Sequence, residues 1–182
     1  MKIIGLCGRA GAGKSTVTKI VKERFPSVQV LSTGDVVRQL LARRGLSANY
    51  DNLQAINEEI VQTYGDDYIS FMFEFIKAQG AYALIDAFRR IADINCISRE
   101  YGTPTLVEIK APAGIRYERM IARARLSDPI DKAAFADLAK REDSWGVDAL
   151  CELADITIIN TGLLPETRMR VIEAFATIIS TA

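Results

Sequence analysis

Short apolar runs alternate with stretches in which apolar residues recur every three or four positions, and this alternation continues along the whole 182-residue chain. The runs at Lys2–Cys7, Val28–Ser32, Tyr82–Asp86, Thr105–Ala111 and Ile156–Asn160 read as short strands buried on both faces, as parallel strands are. Between them, Val17, Ile20, Val21 and Phe25 make one helical stripe that stops at Pro26. Leu53, Ile56, Ile60 and Tyr64 make another that stops at Gly65. The cluster Ile69, Phe71, Met72, Phe73, Phe75 and Ile76 reads as the buried face of a further helix. Strands alternating with helices in this way predict an α/β fold in which right-handed helical crossovers join parallel strands.

Two segments break the alternation. Residues 33–80 insert several helices between strands, and residues 123–146 form a highly charged stretch before the last strand. No repeat, low-complexity tract or Pro/Gly-rich linker separates them from the rest. We therefore expect one domain over residues 1–182, with a helical acceptor-binding insertion at about 33–80 and a lid at about 123–146 covering a single site.

Composition narrows the chemistry. With 49% hydrophobic residues the chain can bury a sizeable core. Lys plus Arg and Asp plus Glu both count 23, so no global field draws it to nucleic acid or to an acidic membrane, and neither is expected as a partner. The apolar opening Met1–Cys7 is too short for a secretory signal and no stretch approaches a membrane span, which leads us to expect a cytoplasmic monomer or weak homo-oligomer. Histidine is absent, which excludes Ser-His-Asp and Cys-His catalysis and any His-based metal site. Cys7, Cys96 and Cys151 lack metal-ligand spacing and read as reduced structural thiols. The chemistry is left to Lys, Arg, Asp and backbone amides.

Gly8-Arg9-Ala10-Gly11-Ala12-Gly13-Lys14-Ser15 fits G-x-x-x-x-G-K-[ST] between a strand and a helix. Gly8, Gly11 and Gly13 let backbone amides turn inward, with Ala12 and Thr16 adding theirs. Lys14 neutralises β and γ phosphates, and Ser15 can ligate Mg²⁺. This is a phosphate-binding loop for a nucleotide. Asp86, ending the third strand, can hold Mg²⁺ through water, or cap a helix. No Glu follows Asp86, and the N-K-x-D and L-S-G-G-Q signatures are missing, so hydrolysis and switching lose ground to transfer onto an acceptor.

Ser32-Thr33-Gly34-Asp35-Val36-Val37-Arg38 follows the second strand and puts Asp35 and Arg38 on one helix face. Asp35 either caps that helix or faces the cleft. Ligands of open α/β sheets sit beyond the carboxyl ends of the strands, which predicts that Lys14, Asp35, Asp86 and Arg89 gather there, Arg89 gripping an acceptor phosphate. Arg116, Arg119, Arg123 and Arg125 run towards Leu126-Ser127-Asp128-Pro129, where Pro129 should end their helix. Arg123 and Arg125, nearest the break, are expected to form a closing guanidinium clamp, and Arg116 and Arg119 to make ordinary surface pairs with Glu118 or its neighbours. Trp145 either stacks on a base or anchors the lid to the core, and anchoring is the expectation. Asn160-Thr161-Gly162 either meets an adenine edge or merely turns the chain into the last helix.

Taken in order, the loop, Asp35-x-x-Arg38, Ile85-Asp86-Ala87-Phe88-Arg89, Arg123-Ala124-Arg125-Leu126-Ser127-Asp128-Pro129, Ser144-Trp145-Gly146 and Ala154-Asp155-Ile156-Thr157-Ile158-Ile159-Asn160 resemble the nucleotide kinase branch of P-loop proteins. The closest likenesses are to dephospho-CoA kinase and the UPF0200 kinase-like family. The resemblance implies a three-layer α/β/α fold whose five parallel strands run in order 2-3-1-4-5, Mg-ATP as donor, and a small-molecule nucleotide acceptor held near Asp35 and Arg38. Ala87 stands where that family usually has Gly. The leading expectation is a phosphotransferase acting on a nucleoside monophosphate or related nucleotide, with Lys14, Asp35, Arg123 and Arg125 as its catalytic groups. Phosphorylation of a ribose hydroxyl, as in dephospho-CoA kinase, with Asp35 as base, and a slow regulatory ATPase are the alternatives.

Overall fold

A computed structural model describes residues 1–76, 80–86, 88–125 and 128–180. Ala87, Leu126 and Ser127, and the side chains of Phe73, Phe75 and Ile76, named above, lie outside the described residues. The strands are β1 (Lys2–Cys7), β2 (Val28–Leu31), β3 (Tyr82–Ile85), β4 (Thr105–Lys110) and β5 (Ile156–Ile159). All pair in parallel, in the order β2-β3-β1-β4-β5. The helices are α1 (Lys14–Arg24), α2 (Thr33–Arg43), α3 (Tyr50–Tyr64), α4 (Tyr68–Ile76), α5 (Ile91–Tyr101), α6 (Ala113–Arg123), α7 (Lys132–Ser144), α8 (Val147–Cys151) and α9 (Leu164–Ser180). Together they make three α/β/α layers.

The period-two alternation of β1 sorts its side chains between two cores. Ile4 and Leu6 join Val17 and Val21 of α1 and Val171 and Phe175 of α9 on one side. Ile3 and Cys7 join Val36 and Leu41 of α2, Ile60 of α3, Met72 of α4 and Ile97 of α5 on the other. Near-continuous apolar strands are required because both faces are covered. Ile69 and Met72 are buried, as the stripe on α4 predicts, whereas Tyr64 is exposed and stacks on Phe71 with ring centroids 4.2 Å apart.

The strand limits fall within one residue of expectation at their carboxyl ends. The helix bearing the arginines does not. α6 stops at Arg123, six residues before Pro129, because Ala124 turns left-handed at φ 45° and its N–H closes the last turn on the Met120 carbonyl. Arg125 therefore lies beyond the helix, and most of the charged stretch that follows is α7.

Gly5 shows how closely β1 is approached. Phe88 enters the core beside it, its N–H bonded to the Leu6 carbonyl at 2.9 Å, and a Cβ on Gly5 would lie 2.4 Å from the Phe88 ring and 2.9 Å from Leu106. Gly5→Ala should lower stability by about 1–3 kcal/mol through overpacking, measured as a lower urea midpoint at unchanged slope.

Candidate active site at the phosphate-binding loop

The sheet order places β1 between β3 and β4, so the loop after Cys7 opens where strands from both halves of the sheet end. Gly8 has φ 128°, and a Cβ there would sit 2.3 Å from the Ile109 carbonyl oxygen of β4. Gly13 has φ 109° and caps α1, where a Cβ would fall 2.1 Å from Asn160 Nδ2. Only glycine fits either position. Asn160, buried at the end of β5, donates Nδ2 to the Ala12 carbonyl at 2.8 Å and accepts from Thr167 Oγ1 at 2.9 Å. Arg119 reaches the same Ala12 carbonyl at 3.4 Å and Asn160 Oδ1 at 3.3 Å, and Arg116 donates to the Ala10 carbonyl at 3.1 Å.

The expectation of ordinary surface pairs for Arg116 and Arg119 is therefore overturned. Arg116 is 6% exposed, lies over the Phe135 ring at 5.2 Å and, with Arg119, braces the loop from behind. Loop carbonyls bound from outside leave the amides at the start of α1 for an anion, where the helix N-terminus also favours negative charge.

Lys14 stands over this cradle, its ammonium hydrogen-bonded to the Gly8 carbonyl and, at 3.3 Å, to that of Arg9. Burial, seconded by the nearby Arg89 charge, brings its pKa down to about 8 against the opposing pull of Glu142 and Asp86. Asp86 is displaced the other way. Burial pushes its carboxyl above the usual range although the Ser32 hydroxyl and the Thr33 N–H, at 3.1 Å, hydrogen-bond it, and nearby Asp35 adds to the rise. Lys14 thus lies within electrostatic reach of Arg89 and Asp86, and Asp86 within reach of Asp35. The capping reading of Asp86 is met across the sheet, because Thr33 N–H is in the first turn of α2.

Ser32, not Asp35, caps α2, its Oγ accepting from Asp35 N–H at 3.2 Å. The Asp35 carboxylate is left to pair with Arg38 at 2.5 Å, both half exposed. Ser15 is exposed in the first turn of α1, with Thr16 half-buried beside it, and Thr161 and Gly162 are exposed after β5. Among the described residues no three His, Cys, Asp or Glu side chains cluster as a metal site. Mg²⁺ needs none, since one carboxylate, a hydroxyl and phosphate oxygens suffice, and a buried carboxylate as poorly compensated as Asp86 suits a cation.

The segment around α7 and α8 docks onto the loop through Arg9, which motif reading passes over as a variable position. Arg9 pairs with Asp143 and with Asp148, the latter at 2.6 and 2.9 Å. Glu142, 5% exposed, accepts from Ala10 N–H at 2.6 Å and lies 3.8 Å from Arg116 and 3.9 Å from Arg9. Trp145 ties this segment to the turn after β3, with the Arg89 guanidinium 5.1 Å from its ring centroid. The two expected clamp residues lie apart from these contacts. Arg123 forks onto Asp128 with both bonds at 2.7 Å, and the exposed Arg125 gives its N–H to the same carboxylate at 3.1 Å. Burial works against ionising Asp128, but these bonds hold it below the usual carboxylate range.

A UPF0200 protein of Methanosarcina barkeri is 30% identical over 179 residues, covering 97% of this chain and 95% of its own. The chain belongs to the UPF0200 family. A UPF0200/UPF0201 protein of Archaeoglobus fulgidus is 33% identical over 168 residues, 89% of this chain but 51% of that protein, so the chain spans about half its length. Residues 7–134 also match the AAA domain family. Among solved structures, a shikimate kinase from Acinetobacter baumannii in complex with shikimate superposes with TM-score 0.61 over 100% of this UPF0200 chain and 94% of its own, at 17% identity. A gluconokinase from Sinorhizobium meliloti superposes with TM-score 0.58 at 15% identity, covering 99% and 94%. The fold is that of the P-loop kinases.

Two measurements test the site electrostatics. The unfolded chain holds the Lys14 proton with an ordinary pKa of 10.5 against about 8 when folded, so this group's destabilisation, full below about 8, is relieved as pH rises to 10.5. Thermal unfolding followed across that window should show a rise in stability that Lys14→Met removes. Glu142→Ala leaves Ala10 N–H and the buried Arg116 charge without their carboxylate and should cost about 3 kcal/mol, against under 1 for the exposed Lys140→Ala, read by urea unfolding.

Proposed function

We propose that this UPF0200 protein is an ATP-dependent phosphotransferase that moves the terminal phosphoryl group of Mg-ATP onto a small-molecule acceptor, a nucleoside monophosphate or related nucleotide. The observation that carries the reading is the grouping of Lys14, Asp86, Asp35 and Arg89 around a braced phosphate-binding loop. Lys14 and the first amides of α1 would take the donor phosphates. Ser15 and Asp86 would hold Mg²⁺, whose contribution when bound is to neutralise phosphate charge. The ion pair of Asp35 and Arg38 would orient the acceptor, with Arg89 on its anionic end. Helices α2 to α4 would cover the acceptor and the segment from Arg123 to Gly146 would serve as the lid. Thr161 and Gly162 remain open to a base, whereas the Asn160 amide is spent on the loop.

Transfer of this kind needs position and charge stabilisation more than covalent help from the protein. A shikimate kinase and a gluconokinase of the same fold support a kinase reading while showing that the fold serves acceptors other than nucleotides. Asp35 favours orientation over proton abstraction, because its carboxylate is already engaged by the Arg38 guanidinium at 2.5 Å.

The decisive assay measures ADP formation with Mg-ATP and a panel of nucleoside monophosphates, deoxynucleotides and dephospho-CoA against a blank without acceptor. At least one nucleotide should raise turnover above the blank. If none does, the phosphotransferase reading fails in favour of an ATP-binding regulator. Arg123→Ala should lower kcat by about 10²-fold or more with a Tm loss limited by the Arg125 N–H that Asp128 keeps, whereas Arg116→Ala should lower Tm first.

A further inference from the structure

Two thiols meet at the root of the phosphate-binding loop. Cys7 is the last residue of β1, immediately before Gly8, and is fully buried. Cys151 is the last residue of α8 and only partly buried. α8 packs on β1, Cys151 packs against the core cluster that contains Cys7, and the two thiols lie within interaction range of one another. Both are free thiols. Cys151 also lines a cleft of about 530 Å³ together with Arg9, Lys110, Arg116 and Asp148, which gives a small polar oxidant a path to this sulfur that Cys7 lacks.

The two sulfurs are chemically unequal. The neighbouring Cys7 thiol favours the Cys151 thiolate, lowering its pKa against the cost of burial, and the Lys14 charge acts in the same direction. Cys7 keeps its proton, held by the neighbouring Cys151 and by burial. An accessible sulfur inclined to ionise, touching a buried one that is not, is the arrangement of an attacking and a resolving cysteine.

We propose that Cys7 and Cys151 are a redox pair that a hydroperoxide converts to an intramolecular disulfide, fixing α8 to the residue immediately before the phosphate-binding loop. The Cys151 thiolate attacks one peroxide oxygen and the O–O bond breaks; the departing hydroxide takes up the proton Cys151 gave off on ionising and leaves as water, and Cys151 remains as the sulfenic acid. The Cys7 sulfur then attacks the sulfenic sulfur and the S–S bond forms. The hydroxyl group departs with the Cys7 proton as a second water. Two thiols lose two electrons and two protons, and one hydrogen peroxide becomes two waters.

The link would bear directly on the loop. Asp148, on α8, already holds Arg9, and Glu142 holds Ala10 from the helix before it. A covalent tie added to this contact restricts the docked segment and the loop relative to one another. Resting on the nucleotide-binding reading, we expect oxidation to weaken binding of a non-hydrolysable ATP analogue by about tenfold, restored by a dithiol reductant.

The test is made on the full chain with hydrogen peroxide as oxidant, reading intact mass, thiol titre and non-reducing peptide maps. The expected result is a loss of two hydrogens, two fewer titratable thiols, a Cys7–Cys151 linked peptide and an unmodified Cys96. In Cys7→Ser the sulfenic acid at Cys151 should be trapped by dimedone, and in Cys151→Ser no intramolecular link should form. Oxidation that stops at Cys151 sulfinic acid in the wild-type chain, or that reaches Cys96 as readily, overturns the proposal. A linked pair in a chain that binds the analogue equally in both redox states overturns its consequence for the loop. Failure of the reduced chain to bind the analogue counts against the nucleotide reading and leaves the mapped disulfide as evidence for the pair.

Discussion

A loop that presents its amides to a polyanion must have its carbonyls satisfied from elsewhere, and the rest of this site depends on how that is done. The carbonyls of Ala10 and Ala12 are taken by Arg116, Arg119 and Asn160, which come from α6 and the end of β5. These elements reach the loop because β4 and β5 continue the sheet beyond β1. A different strand order would leave the loop without its backing. Gly13 belongs to the same constraint, since any side chain there would displace the Asn160 amide.

The braced loop sits among charges that the protein leaves incompletely compensated. Lys14 loses proton affinity through burial and Asp86 gains it, so folding places both groups where their charged forms are costly. The two are close enough to relieve one another, yet the shifts persist. A polyanion beside Lys14 and a cation beside Asp86 would complete both, so that binding of either would raise stability. Glu142 plays the opposite part. Its carboxylate fills the Ala10 N–H and faces Arg9 and Arg116, so that corner of the loop is already supplied with an anion.

What the sequence disclosed follows the range of the interactions involved. Strands between apolar limits and the Gly8–Ser15 loop could be read because their signals lie within a few residues. The contacts of Arg9 with Asp148 and of Ala10 with Glu142 span more than 130 residues and leave no local spacing to detect. Arg116 and Arg119 had the spacing of surface residues, because which side of α6 is buried is decided by the loop it packs on. The end of α6 was misplaced for a related reason. Pro129 is a visible stop, but the chain stops earlier at Ala124, in a left-handed conformation that alanine does not advertise.

The placement of the arginines also bears on how a lid could work here. Arg116 and Arg119 are committed to main-chain carbonyls of the loop, and moving them would undo the cradle. Arg123 is bound differently, through two parallel bonds to a single carboxylate. A phosphoryl group offers the same planar fork a comparable pair of acceptors, so its transfer from Asp128 to a phosphate exchanges one bidentate anion for another. Asp128 would keep the Arg125 N–H, which limits the cost of losing its partner. The structure thereby divides the arginines by contact: Arg116 and Arg119 hold main-chain carbonyls of the loop, and Arg123 is paired with a side chain outside it.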